Sequence, residues 1–444
     1  MSLKFWFQMG GIKLLNSFLQ TFSFQTIRKI GAFNFFLFLS GVFEHGLNKL
    51  ILMPFLVRHL GAGKFGSFVL AMSVVLFLAT IIPSGVFMTN YRENANFKKK
   101  EKREFFETTF TVLVITTTVF AIIYFISKKL IATIFTDSNI TVFVPFLAGY
   151  LVCYVIFNFC KQILAINLKF NVRTFFDVIY GSFICLLIPG FFIFGDAGVA
   201  GGYFLGSLVA VVAILFYLRK KHLLRFFRLS GQKLKLILKS APTFTLASSA
   251  LIIMSIADRW IVGFYWPESQ VTYYYVAVQM AALFVLPFSM LNSVLNPIVT
   301  KRNSLNDFTR AEIKFFFFAI AGSILLVLFS GWLLGPWVIK MLYGQNILSY
   351  SRIPFNIILM GQLFYLVRIY SQPFLIKFFS PNLSRNIQWL SAGTFIVLHL
   401  ILVPRYGIIG GGIATASAFA LMGVLCFKDV VLTIKNRVFQ LETL

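Results

Sequence analysis

The stretch Ser40 to Phe55, SGVFEHGLNKLILMPF, is apolar in its overall character yet carries Glu44, His45, Asn48 and Lys49. At 100° per residue these four side chains fall within an arc of about 140° on a helix, leaving Val42, Phe43, Gly46, Leu47 and Leu50 for the other side. Such a face has two readings. Glu44 and Lys49 can neutralise each other while His45 and Asn48 satisfy neighbouring groups, or the arc can line the path of an anionic, hydroxyl-rich group, with Lys49 supplying charge and Asn48 and His45 hydrogen bonds. Asp258 and Arg259 pose a similar question in IADRW, but adjacent helical residues point about 100° apart, so each is expected to have its own partner. Arg368, in GQLFYLVRIYSQPF with Gln362 and Gln372, offers a planar donor fork suited to phosphate oxygens, or a brace for Asp258 or Glu44. Glu44, His45, Asp258 and His399 are the groups of this kind able to exchange a proton, and an unperturbed imidazole titrates at about 6.5.

The elements that must position these residues are membrane-spanning helices. The 444 residues are 59% hydrophobic and 12% charged, with a mean hydropathy of +0.85, against roughly 45–50% and 25% in soluble proteins. Uncharged runs long enough to cross about 30 Å of hydrocarbon recur at 30–54, 67–89, 105–127, 140–162, 176–195, 197–218, 240–264, 270–296, 315–339, 353–376, 386–403 and 408–432. This predicts an all-α polytopic membrane protein of about twelve spans. A buried charge costs about 2.5–3.5 kcal/mol at a helix centre even on insertion scales, so Lys49, Arg259 and Arg368 must face a wet cavity or a partner.

The net charge of +26 reads as topology. With both termini cytoplasmic, most Lys and Arg fall on the cytoplasmic side, including the runs 91–105 and 218–240. These runs suit anionic membrane lipid, and nucleic acid is excluded as the expected partner. Arg92 after the second span and Lys161 after the fourth are either ordinary positive-inside charges or contacts at the cytoplasmic mouth. Cys153, Cys160, Cys185 and Cys426 have neither metal-ligand nor disulfide-loop spacing and read as core residues. No short apolar leader with a cleavage site is evident, and residues 3–24 are expected to lie along the interface.

GVAGGYFLGSLVA (198–210) and GIIGGGIATASAF (407–419) share three glycines at an offset of 209, and LGAGKFGSFVLAMSV (60–74) pairs more weakly with WPESQVTYYYVAVQM (266–280). Two six-span halves follow: an interfacial segment 1–29, an N-lobe 30–218, a basic amphipathic link 219–239, a C-lobe 240–434 and a tail 435–444. Repeat-built transporters place substrate between such halves near the midplane. An enzyme of membrane glycan chemistry needs a large outer loop or an acidic metal motif, and the longest expected outer loop, 128–139, has only Asp137 as an acid.

RHLGAGKFGSF (58–68), ADRWIVGFYWPESQVTYYYVAVQM (257–280) and LHLILVPRYGIIGGGIATA (398–416) resemble the polysaccharide or O-antigen flippases of the multidrug/oligosaccharidyl-lipid/polysaccharide (MOP) exporter superfamily, and the likeness runs through the whole chain. The resemblance implies a monomeric inner-membrane protein that moves a polyprenyl-diphosphate-linked oligosaccharide by alternating access. It implies no cofactor, and contact with glycan polymerase or assembly proteins; the proton-exchanging groups Glu44, His45, Asp258 and His399 make coupling to a proton gradient or membrane potential the expectation, beside a process pulled by downstream polymerisation that needs no coupling ion. A drug exporter of the same superfamily and a membrane glycan polymerase or transferase are the alternatives. Cation sites of the superfamily lie among the seventh, eleventh and twelfth helices, which makes Asp258 and Thr415 candidates. Where relatives often carry Asp before the glycine ending the second span, this chain has Pro83 and Ser84 before Gly85, and His399 replaces a frequent Asn. Imidazole is a poor ligand for sodium.

Overall fold

The computed structural model describes Gly46 and residues 48–94, 97–186, 195–224, 228–300, 310–379 and 381–442. The expected interfacial segment 1–29 and most of the first expected span, with Glu44 and His45, lie outside the described residues. A π-helical turn (Asn48–Leu52) leads into α1 (Met53–Asn94). There follow α2 (Lys99–Ile126), α3 (Lys128–Ile134), α4 (Ile140–Ile166), α5 (Phe170–Leu186), α6 (Asp196–Lys220), α7 (Gly231–Tyr265), α8 (Glu268–Thr300), α9 (Arg310–Tyr343), α10 (Gln345–Phe378) and α11 (Pro381–Glu442).

Among the described residues nine helices are long and apolar enough to cross a membrane, and the protein is a multi-pass membrane protein. Two of the nine double back. Gly61 (φ 75°) divides α1 into arms 53–60 and 62–94, and Gly407 (φ 58°) divides α11 into arms 381–406 and 408–442. Both backbones lie in the region where a Cβ would clash, so glycine is the residue that allows the reversal. With these breaks counted, the second to fourth and sixth to twelfth expected spans each have a helical counterpart, and α5 covers the start of the fifth; most of the first and the rest of the fifth lie outside the described residues. Several helices overrun their apolar stretch. α7 begins at Gly231, so the second half of the expected link 219–239 is the basic first turns of this helix.

In the N-lobe α4 is central, packed on α1, α2, α5 and α6; in the C-lobe α10 packs on α8, α9 and α11, and α11 on α7. The repeat is visible in the backbone, with one correction. Gly195 at the head of α6 (φ 61°, ψ −148°) and Gly407 (φ 58°, ψ −139°) share one unusual conformation. They set the register at an offset of 212, not the 209 suggested by the glycine pattern. The slip is close to one helical turn, so glycines repeat on nearly the same face in either register. Many phenylalanines and leucines point outward, among them Phe216, Phe318, Phe329 and Leu325, as lipid-facing bulk does.

The lobes meet along α1 and α7. Leu70 lies against Gly263, the Trp260 indole N–H donates to Ser73 Oγ at 2.7 Å, and Gly85 lies against Ala241 and Thr245. This order makes the 62–94 arm and α7 antiparallel neighbours. At the end marked by the two reversals, Gly66 abuts the Glu268 backbone and the Thr272 hydroxyl donates to the Ala62 carbonyl. The two segments matched as a weak repeat, 60–74 and 266–280, thus pack on each other. Small residues at these contacts let the backbones approach, as in other membrane helix pairs.

Candidate functional site: a cavity spanning the lobe boundary

Two adjoining cavities, of about 420 and 440 Å3, open between the lobes and share Lys49, Ser255, Arg259 and Gln279 in their walls. Each lies within the ~300–1,000 Å3 usual for ligand sites. The first reaches into the N-lobe and the second into the C-lobe.

Lys49 and Asn48 come from the π turn at the end of the first span. The Tyr203 hydroxyl of α6 donates to Asn48 Oδ1 at 2.9 Å, and the Tyr343 hydroxyl of α9 donates to the Lys49 carbonyl at 3.3 Å. The turn is thereby held by both lobes. Arg259 is buried, with its guanidinium 5.1 Å over the Tyr275 ring. Its Nε has no hydrogen-bond partner among the described residues. Contrary to the expectation of separate partners, Arg259 Nε stands 3.9 Å from Asp258 Oδ1, which also accepts the Arg259 backbone N–H at 2.9 Å. At that length the ion pair is loose, and the guanidinium keeps donors for another anion.

Arg368 of α10 lies in the second cavity, buried and 5.3 Å over the Tyr365 ring, with Gln279, Gln362 and Gln372 in the same wall. The second cavity also exposes Asp258, the one carboxylate among its described lining residues, and Thr415. The structure therefore brings Asn48, Lys49, Arg259, Arg368, Gln362, Asp258 and Thr415 to the walls of these two adjoining cavities. Cations outnumber acids there.

His399 stands behind that wall, fully buried. Its Nδ1 is 2.8 Å from the Phe395 carbonyl, which can only accept, so Nδ1 carries the proton. Nε2 then faces the Thr415 hydroxyl at 3.5 Å, and Thr415 Oγ1 lies 2.9 Å from the Tyr274 hydroxyl. Tyr274 is next to the Asp258 carboxylate. α7, α8 and both arms of α11 thus contribute to one chain of polar groups running from the cavity into the C-lobe.

The two residues expected near a cytoplasmic mouth differ. Arg92 is exposed at the end of α1, 3.6 Å from Glu93. Lys161 is only 4% exposed, its ammonium 2.7 Å from Asp177 Oδ1, and Arg173 approaches the same carboxylate at 3.8 Å. Its charge is turned into the N-lobe because α5 presents Asp177 directly opposite.

The residues that sequence reasoning passed over are tyrosines. Tyr150 and Tyr154 of α4, Tyr180 of α5, Tyr203 of α6 and Tyr275 of α8 line the first cavity. The available signal was their type: in a chain with 56 Phe and 16 Tyr, a tyrosine within a span brings a hydroxyl that needs a partner.

A family profile described as "Polysaccharide biosynthesis protein" matches residues 55–352. Solved structures of the same architecture include an inward-facing multidrug resistance MATE family transporter of the MOP superfamily, at TM-score 0.67 and 15% identity, covering 91% of this chain and 95% of that one. The lipid II flippase MurJ in an inward closed conformation aligns at TM-score 0.64 and 16% identity, covering 85% and 86%. The Vibrio cholerae MATE transporter VcmN in its bent form aligns at 0.58 and 11%, covering 91% and 98%. No curated protein matched the sequence. The fold is that of the MOP exporters, two six-helix lobes around a central cavity. The chain belongs to the polysaccharide biosynthesis protein family.

Proposed function

We propose that the protein is a flippase that carries a polyprenyl-diphosphate-linked oligosaccharide, such as an O-antigen or other surface-glycan repeat unit, across the bacterial inner membrane. The observation that carries this reading is that Lys49, Arg259 and Arg368 line two adjoining inter-lobe cavities whose described walls hold a single carboxylate, Asp258. A diphosphate headgroup is too costly to pass through hydrocarbon unaided, and buried cations with spare donors offset its lost hydration. The lipid tail stays in the bilayer while the head crosses. The family match and the likeness to a lipid II flippase agree with this reading.

The two lobes rock in alternating access about the α1–α7 seam, with both termini and the basic ends of the helices in the cytoplasm. Arg92 meets incoming headgroups at that mouth, and anionic lipid lies along the basic ends. The monomer acts alone and hands its product to the polymerase and assembly proteins of the outer face. The chain Asp258–Tyr274–Thr415–His399 couples the lobes to a proton gradient or membrane potential, with Glu44 and His45 as further proton-exchanging groups.

A drug exporter for cationic compounds would favour an acidic cavity, and a glycan polymerase or transferase would alter its substrate without relocating it. Deletion of the gene in a strain without a redundant flippase tests the reading. Loss of surface glycan, with repeat units retained on lipid in the cell and restoration by the intact gene, is expected. Full surface glycan in the deletion strain contradicts it.

A further inference from the structure

The two cavities differ in chemistry. The described lining of the first has no carboxylate, and its cations, Lys49 and Arg259, stand only at the end it shares with the second. Its remaining wall combines Tyr150, Tyr154, Tyr180 and Tyr203 with apolar residues of α1 and α7, among them Phe68, Met72 and Ile256. These rings form a connected platform: Tyr150 lies 5.4 Å from Tyr154 and 5.6 Å from Tyr203 between centroids, and Tyr154 lies 6.2 Å from Tyr180. The Tyr150 and Tyr180 hydroxyls are 2.9 Å apart, so the rings are also tied at their polar edges. Asn48, Ser73, Thr80 and Gln279 add hydroxyls and amides around the same space.

A cavity wall that served packing alone would be met by phenylalanine, which this chain uses freely elsewhere. Phenylalanine presents the same ring without a hydroxyl that must be satisfied inside the membrane. Tyrosine presents two surfaces at once, an aromatic face against which the C–H side of a sugar ring can lie, and a hydroxyl that both donates and accepts. Neutral, hydroxyl-rich rings match that combination; a diphosphate does not, because the tyrosines offer it no charge.

We infer that the tyrosine-lined cavity is a saccharide subsite, which receives the sugar nearest the diphosphate while the diphosphate sits at the junction marked by Lys49 and Arg259 and reaches into the second cavity toward Arg368. The inference rests on the flippase reading and adds to it a direction for the substrate: glycan toward the N-lobe, phosphates toward the C-lobe. It also assigns Tyr154, half-buried at the cavity wall, a direct contact with sugar.

The test compares two probes on the purified full-length protein in lipid nanodiscs: polyprenyl diphosphate, and the same lipid carrying N-acetylglucosamine. The intact protein is expected to bind the sugar-bearing lipid more tightly. Tyr154→Ala is expected to shrink that preference by about two- to tenfold, the value of one aromatic contact. Tyr154→Phe keeps the ring and the packing and is expected to lose only part of the preference, which preserves the test if the alanine variant folds poorly. Arg368→Ala is expected to weaken both probes while keeping their ratio. Equal binding of the two probes by the intact protein, or a Tyr154→Ala variant that retains the full preference, overturns the subsite and leaves the flippase reading standing. Failure of both probes to bind the intact protein overturns the two together.

Discussion

Gly85 of α1 and Ala241 of α7 touch across the lobe boundary so closely that a Cβ on Gly85 would fall 2.0 Å from the Ala241 carbonyl oxygen. Gly66 makes an equally close approach to the Glu268 backbone at the far end of the same seam. The 62–94 arm is therefore laid against α7 at one end and against the first turn of α8 at the other, and alternating access requires one end to part while the other holds. Gly85→Val is expected to wedge the Ala241 end open. A cysteine at Ala241 should then label faster from the membrane-impermeant side, and transport should fall by roughly tenfold or more, the effect of a few kcal/mol in a conformational equilibrium. Labelling and transport equal to those of the parent protein would refute this role for the seam.

Arg368 is expected to act through its donor geometry as well as its charge. Arg368→Ala should reduce transport far more than protein abundance, and Arg368→Lys should restore little of it, because an ammonium lacks the planar fork that grips two phosphate oxygens. Transport measured per folded molecule decides the matter; full rescue by lysine would show that charge alone suffices.

For the buried pair Lys161–Asp177 the expected effect is on stability. Removing Asp177 takes the carboxylate from the buried Lys161 ammonium, at a cost of about 3–5 kcal/mol, removing Lys161 costs less because Arg173 still approaches Asp177 at 3.8 Å, and replacing both by apolar residues recovers much of the loss. Lys161→Met and Asp177→Leu should each lower the unfolding midpoint, with the double substitution above either single one. If Lys161→Met leaves stability intact and lowers transport, Lys161 is a mouth contact after all.

The sequence carried the class of fold through its apolar runs, and the cationic site through Lys49, Arg259 and Arg368, because a charge inside a span has few places to go. It did not carry the pairing of Lys161. Position after the fourth span makes that residue look like a surface charge, and only the packing of α5 on α4 brings Asp177 opposite. The register of the repeat was also ambiguous, since glycine clusters match at either of two offsets one turn apart while the backbone conformation distinguishes Gly195 from Gly198. The tyrosine wall was illegible for a different reason. Its members are spread over α4, α5 and α6, and nothing local separates a cavity-facing tyrosine from a core one.

Coupling has its own test at His399 and Thr415. If the polar chain from Asp258 to His399 carries a proton, Thr415→Val and His399→Asn should abolish the response of transport to an imposed pH gradient while leaving downhill exchange measurable. A parent protein whose rate and final distribution ignore both pH gradient and voltage would remove coupling from the account.

The most direct measurement is trans-bilayer movement in proteoliposomes, with a polyprenyl-diphosphate-linked oligosaccharide placed in one leaflet and its glycan read by an enzyme confined to the other side. The protein is expected to deliver the glycan to the opposite face chemically unchanged, and Arg259→Ala and Arg368→Ala are each expected to slow delivery by roughly tenfold or more. Glycan that stays on its original face in the presence of folded parent protein, or that is lengthened or transferred without crossing, would contradict the account.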